Sequence, residues 1–233
     1  MGQNRQEDVR RALARNAIFG ALPAQDLQHL IAYGVTARFG SRQTIFHRGD
    51  PGDGMMVVLA GRVKISNCSA DGKEAVLNFI DPGQVFGEIA LLDGKPRTAD
   101  ATSMEATELF VLRRRELLPF LESRPEVAIR LIEVLCGKLR HTTLMVEDVM
   151  VLNLGPRIAR ALLRLAEEHG RRHGNAIRLD MRLRQRELGG YVGLSREITN
   201  RQLKAWREEG LIAVDGGHIT VLDEAGLQRI AGE

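Results

Sequence analysis

The chain reads as an α+β protein in three parts: a jelly roll of short strands, one long helix, and a helix–turn–helix closed by a hairpin. Three observations carry that reading. Between Val35 and Leu112, short alternating apolar runs are broken by glycine-bearing turns. From Pro125 to about Asn153, a run with no internal proline repeats its apolar residues every three or four positions. Beyond it, two helical segments meet at Gly193-Leu194 and lead into a hairpin with Gly216-Gly217 at its tip. At 233 residues the chain is long enough for two domains with cores. The expected divisions are 1–124, 125–153 and 154–233.

Composition sets bounds. No apolar run approaches the roughly 18 residues of a membrane span and no signal peptide opens the chain, so a cytoplasmic protein with no membrane role is expected. Cys68 and Cys136 lie far apart and outside any C-x-x-C pattern, which argues against zinc or an iron–sulfur cluster. Two buried thiols and no metal are expected. The net charge of +3 arises entirely within 154–233, with 14 basic and 11 acidic residues. Within 178–204 the balance is seven to three, an excess that a solvated face explains as well as a nucleic-acid surface.

In order along the chain, 4–16 is a predicted helix with Val9, Leu13 and Ala17 on one face. Pro23 opens a short helix through Leu30. Predicted strands include Thr44–His47, Met55–Ala60, Arg62–Ser66, Ala75–Ile80 and Leu109–Leu112, with turns at Asp50-Pro51-Gly52, Asp71-Gly72 and Asp81-Pro82-Gly83.

The stretch Phe86–Ala99 carries the chemistry. Gly87 permits a close backbone approach, and Glu88 to Leu92 suit one short helical turn with free N–H groups at its start. Arg97 follows the Asp93-Gly94-Lys95-Pro96 turn and can fold back to grip a phosphate, with Thr98 adding a hydroxyl. Glu88 suits such a site if the ligand also offers ribose hydroxyls and Arg97 balances its charge. On spacing alone, a β-turn with a surface Glu–Arg pair accounts for the stretch equally well.

The stretch resembles the phosphate-binding cassette of cyclic-nucleotide-binding jelly-roll (double-stranded β-helix) domains, F-G-E-[LI]-[AG]-L followed by R-[STA]-A. Gly49, Gly52, Asp53 and Gly61 resemble the turn-glycine pattern of the same family. The resemblance implies a cyclic nucleotide held by Gly87, Glu88, Ile89, Ala90, Arg97 and Thr98, cyclic AMP first and cyclic GMP as the other candidate.

On the long helix, Ala128, Ile132, Leu135, Leu139, Thr142, Val146 and Val149 alternate spacings of four and three, a heptad seam that predicts a homodimer through 125–153. Leu131, Val134 and Met145 widen the apolar surface, so a helix packed on its own domain is the rival reading. Thr142 interrupts the seam at a cost in stability. In the family resembled, a Thr-Ser pair here receives the purine amino group, one residue from each subunit. Thr142 and Thr143 stand there, with Thr replacing Ser.

Asn153-Leu154-Gly155-Pro156 is a predicted hinge. Arg157–His169 is an amphipathic helix with Ile158, Leu162 and Leu165 inward, and Gly170–Asn175 a loop that leaves His169 and His173 solvated. Gln185–Val192 and Ser195–Glu208 form the helix pair, with Gly193 at the turn and Ser195 as N-cap. Leu188, Val192, Leu194, Ile198 and Leu203 are its expected core. Arg196, Glu197, Asn200, Arg201 and Lys204 then face outward on the helix that enters the major groove. Leu211–Val214 and His218–Val221 make a wing.

The whole chain thus resembles the Crp–Fnr family of bacterial transcription regulators. In the catabolite activator branch the recognition helix begins S-R-E with Arg four residues after the Glu, matched by Ser195, Arg196, Glu197 and Arg201. Each Arg can take guanine O6 and N7, and Glu197 a cytosine amine. Arg184, Gln185 and Arg186 would hold phosphates. Ile198, Thr199 and Asn200 depart from that branch and leave the flanking base preference open. The resemblance implies a cytoplasmic homodimer on a palindromic TGTGA-type site, with RNA polymerase as a further partner. Alternatives of the same fold sense cyclic GMP, a cyclic dinucleotide, a redox signal or nothing. No nucleophile–base set or phosphate loop with Lys-Ser/Thr supports an enzyme.

Overall fold

The computed structural model describes residues 3–232. The chain divides into two compact units, Met1–Asn67 with Leu77–Arg140, and Cys68–Val76 with His141–Glu233.

In the first unit, α1 (Gln3–Ala14) buries Val9 and Leu13 and ends short of the expected boundary. The cause is Asn16, whose Oδ1 accepts from the N–H groups of Ile18 and Phe19 at 2.8 and 3.2 Å. That local bond competes with the helix and turns Ile18 and Phe19 inward, leaving Ala17 exposed. Helix α2 (Ala24–Tyr33) follows, with Pro23 as the flanking N-cap residue, and runs beyond Leu30.

Eight strands come next: β1 (Val35–Phe39), β2 (Thr44–Phe46), β3 (Gly54–Ala60), β4 (Val63–Cys68), β5 (Glu74–Ile80), β6 (Val85–Phe86), β7 (Asp100–Ser103) and β8 (Thr107–Arg113). They form two four-stranded sheets, ordered β1-β8-β3-β6 and β2-β7-β4-β5, the expected jelly roll. Val58, Val63, Ile80, Phe86, Ala101 and Leu109 make one core cluster. Met55, Val57, Phe110 and Leu112 instead join a second cluster with α1 and α2, so β3 and β8 are buried on both faces. This explains why their sequences read as continuous apolar runs.

Helix α3 (Glu88–Asp93) lies between β6 and β7, and α4 (Arg114–Ser123) follows β8. Helix α5 (Pro125–Val151) spans 27 residues. Val127 and Leu131 are buried, whereas Ile132, Leu139, Val146 and Val149 are 57, 68, 52 and 47% exposed. These four seam positions are therefore left largely open by the single chain, whereas Ala128 packs against its core and Leu135 is half-buried.

In the second unit, α6 (Leu154–His169) begins almost at once. Gly155 and Pro156 lie in its first turn, where proline is tolerated because its missing N–H has no helical partner, so no extended hinge separates the helices. Ile158, Leu162 and Leu165 are fully buried. The predicted loop is instead β9 (Gly170–His173), paired with β10 (Ala176–Leu179). His169 is buried, contrary to the solvated reading, while His173 is exposed. A side chain at Gly170 would collide with the Ala166 carbonyl and Ile177. Then come α7 (Gln185–Val192), α8 (Arg196–Glu208), the hairpin β11 (Ile212–Asp215) and β12 (His218–Val221), and α9 (Glu224–Ala231). Gly216 and Gly217 have φ of 54° and 87°, the paired positive values of a type I′ turn. Cys68 and Cys136 are both exposed, which corrects the expectation of buried thiols.

Candidate functional site

The cassette is built from β6, α3 and the segment before β7. Gly87 enters α3 with φ 78°, and the helix ends on Gly94 with φ 71°. Arg97 folds back over this turn, donating from Nη1 to the Gly87 carbonyl at 2.7 Å and from Nη2 to the Gly54 carbonyl at 2.8 Å. Its backbone N–H bonds the Asp50 carbonyl and its carbonyl takes the Gly49 N–H, both at 2.9 Å, which ties the upstream glycine turn to the cassette. A side chain at Gly52 would strike Ala90 and come within 3.2 Å of Arg97 Nε. The guanidinium lies 4.3 Å from the Phe46 ring centroid. Burial pulls the Arg97 pKa down, against the charges of Asp53, Glu88 and Asp50.

Glu88 is buried, with Oε1 accepting from Lys138 Nζ of α5 at 2.9 Å. The same ammonium donates to the Val85 carbonyl at 2.8 Å. The direct balance of Glu88 therefore comes from Lys138; Arg97 feels its field without pairing to it. Two buried side-chain atoms here have no hydrogen-bond partner: Glu88 Oε2 and Arg97 Nε. A leftover acceptor and a leftover cationic donor within one cassette suit a ligand bearing both hydroxyls and an anion. Ala90 is buried, while Ile89 and Thr98 are exposed. Thr142 and Thr143 are exposed on α5, in the same stretch as the exposed seam residues.

In the reading head, Ser195 Oγ accepts from the Ile198 N–H at 3.3 Å, the expected N-cap of α8. Gly193 has φ 67°, and the Leu194 N–H bonds the Gly189 carbonyl at 2.8 Å. A side chain at Gly189 would lie 2.9 Å from the Leu194 carbonyl, so glycine is what lets α7 approach the turn. Arg196, Glu197, Asn200, Arg201 and Lys204 are all exposed. The α8 N-terminal backbone and Ser195 hold the Glu197 carboxyl below its usual pKa. Arg184 and Arg186 are exposed and Gln185 half-buried at the start of α7, whose Glu187 accepts from the Arg184 N–H at 2.8 Å.

Comparison with known proteins agrees with both halves. Residues 36–124 match the cyclic nucleotide-binding domain family, and 156–230 the Crp-like helix-turn-helix domain. A CRP-like cAMP-activated global transcriptional regulator of Mycobacterium tuberculosis is 32% identical over 94% of this chain and 98% of its own length. The chain belongs to the CRP/FNR family. It is a CRP-like, cyclic-nucleotide-binding transcription regulator. It is also 30% identical to the cyclic AMP receptor protein of Thermus thermophilus, over 92% of this chain and 96% of that one. Among solved structures, the c-di-GMP responsive regulator CLP of Xanthomonas campestris superposes with a TM-score of 0.75 at 25% identity, covering 85% of this chain and 99% of that one.

Within this CRP/FNR frame, some residues escaped sequence reasoning. Lys138 carries no local signal, since it meets Glu88 across 50 residues of chain. Thr199, one of the departures from the catabolite activator pattern, is fully buried and donates from Oγ1 to the Ser195 carbonyl at 3.0 Å. It supports the turn and has no route to a base. Leu194 and Ile198 are only half-buried; Tyr191 and Trp206 supply the missing core. The i, i+3 spacing of Leu203 and Trp206 is the signal that marks Trp206.

Proposed function

We propose that this regulator works as a homodimer switched by cyclic AMP. The observation that carries the reading is the unpartnered pair in the cassette, Arg97 Nε and Glu88 Oε2, one donor and one acceptor that a ribose cyclic phosphate satisfies together. In this reading 1–124 holds the effector, 125–153 joins the subunits and 154–233 reads DNA. Arg97 and Thr98 take the phosphate, with backbone N–H groups of Ile89 and Ala90, Gly87 gives the close approach, and Glu88 accepts from the ribose. Thr142 of one subunit and Thr143 of the other receive the purine. Arg196, Glu197 and Arg201 read a TGTGA-type half-site from the major groove. Ser195 caps the helix, Asn200 and Lys204 flank it, and Arg184, Gln185 and Arg186 bind phosphates. The bound dimer then acts on RNA polymerase in the cytoplasm.

Cyclic AMP is favoured because the relatives above are named for it. The likeness to a c-di-GMP responsive regulator supports a second reading, in which the effector is a cyclic dinucleotide. Isothermal calorimetry with cyclic AMP, cyclic GMP and c-di-GMP decides. Cyclic AMP should bind most tightly; tighter c-di-GMP binding would replace it with the second reading.

A further inference from the structure

Helix α6 turns a face of three arginines toward the end of α5. Arg157, Arg160 and Arg164 are three and four residues apart, which sets them along one side of the helix. Arg157 Nη2 donates to the Val149 and Leu152 carbonyls at 2.9 and 2.8 Å, closing the last turn of α5. Its Nη1 reaches the Val192 carbonyl, at the end of α7, at 3.5 Å. Arg160 and Arg164 donate at 3.0 Å to the two carboxylate oxygens of Asp148, an α5 residue only 2% exposed. Arg164 Nε also donates to the Tyr191 hydroxyl at 3.2 Å. Tyr191 is a buried residue of α7, and its hydroxyl lies 3.5 Å from His141 Nε2. Across the ring, His141 Nδ1 is 3.5 Å from Glu168 of α6. Two α6 arginines thus hold one buried α5 carboxylate, and Tyr191 of α7 is tied to it through Arg164.

We propose that Asp148 is a positioning residue: through Arg160 and Arg164 it clamps the reading head to the end of α5, so that the short α5–α6 turn does not flex on its own. A free hinge must open cheaply. Opening this one would separate a buried carboxylate from both of its cationic partners, a costly step in its low-dielectric setting, and would also part the arginines from Tyr191 and the α5 carbonyls. The last turns of α5 and the head then move as one body. The clamp itself rests on this geometry and not on the identity of the effector; only its consequence for DNA rests on the proposed function.

Trp206, the single tryptophan, is buried in the head and serves as an energy-transfer donor. The acceptor is a dye on Glu147→Cys, with Cys68→Ser and Cys136→Ser, labelled sparsely so that most dimers carry one dye. Time-resolved transfer in the full-length, ligand-free protein reads the distance distribution at a temperature where circular dichroism shows full helix content. The parent should give one narrow distribution, and Asp148→Asn one roughly twofold broader. A second variant, Asp148→Asn with Arg160→Gln and Arg164→Gln, leaves no buried charge unpaired and should broaden likewise. Affinity for a duplex carrying inverted TGTGA repeats, with cyclic AMP saturating, should fall about tenfold in both variants. A lower melting temperature with an unchanged narrow distribution would mean that Asp148 stabilises without positioning, and overturns the proposal. So does a parent distribution as broad as the variants', or broadening with no loss of DNA affinity. If the parent fails to bind the duplex, the proposed operator falls, and the distance distributions alone decide the clamp.

Discussion

Arg97 is 5% exposed and spends two of its five donors on carbonyl oxygens, which fixes the guanidinium before any ligand arrives. Arg97→Leu should therefore remove a preorganised charge-assisted grip, weakening cyclic-nucleotide binding by about 1.5–3 kcal/mol or more while the fold survives. Glu88→Gln should lose less, because an amide oxygen still accepts from a hydroxyl. Calorimetry reads both, and unchanged affinity in Arg97→Leu would remove the cassette as the site. Gly87, Glu88 and Arg97 were legible because a turn glycine, a carboxylate and a returning arginine sit within eleven positions. Lys138 was not, because only the packing of α5 brings it to Glu88. Tyr191 gives a second test. Burial pushes its hydroxyl up to about 12, against the charge and hydrogen bond of Arg164. A folded pKa above the unfolded value of about 10 means that its contribution is whole below pH 10 and is lost as pH rises toward 12. Two pKa units correspond to about 2–3 kcal/mol. Tyr191→Phe should flatten the fall of stability over that alkaline window, read from urea midpoints; an equally steep fall would place the titration elsewhere.

At the scale of elements, the long helix was legible because its apolar spacing survives 27 residues without a proline beyond its first position. The rival reading, packing on its own domain, holds for Val127 and Leu131 but not for Leu139 or Val146, which are more than half exposed. A row of such side chains favours a partner helix, since each buried apolar Å² contributes roughly 25 cal/mol. Leu139→Asp with Val146→Asp should leave the single chain folded, because neither position is in its core, and should yield monomers by light scattering. A persisting dimer would move the interface off this seam. Other elements were hidden for physical reasons. Strand β9 reads G-R-R-H, with no apolar alternation, and owes its form to pairing with β10. Helix α1 ends early because one side chain, Asn16, outcompetes the helical bond pattern. The wing hairpin was visible because two consecutive glycines are what a type I′ turn requires.

For the whole molecule, the proposed dimer presents two copies of α8 to a palindrome, about 34 Å apart, one helical turn of DNA. Its specificity then rests on few side chains, and their chemistry separates base reading from phosphate holding. The N-terminal backbone of α8 and Ser195 hold the Glu197 carboxyl below its usual pKa, so at neutral pH it is ionised and can only accept. Among base edges in the major groove, an acceptor of this kind suits a cytosine amine. Glu197→Ala should relax discrimination at one base pair of each half-site by about 1–3 kcal/mol and leave the other positions unchanged. Arg184, exposed at the start of α7, should behave differently. Arg184→Ala should weaken all sequences alike and reduce the slope of log affinity against log salt by about one unit. Each variant is measured against a panel of single-base operator changes at two salt concentrations. If Glu197→Ala loses affinity uniformly across the panel, Glu197 reads no base and a different face of α8 enters the groove.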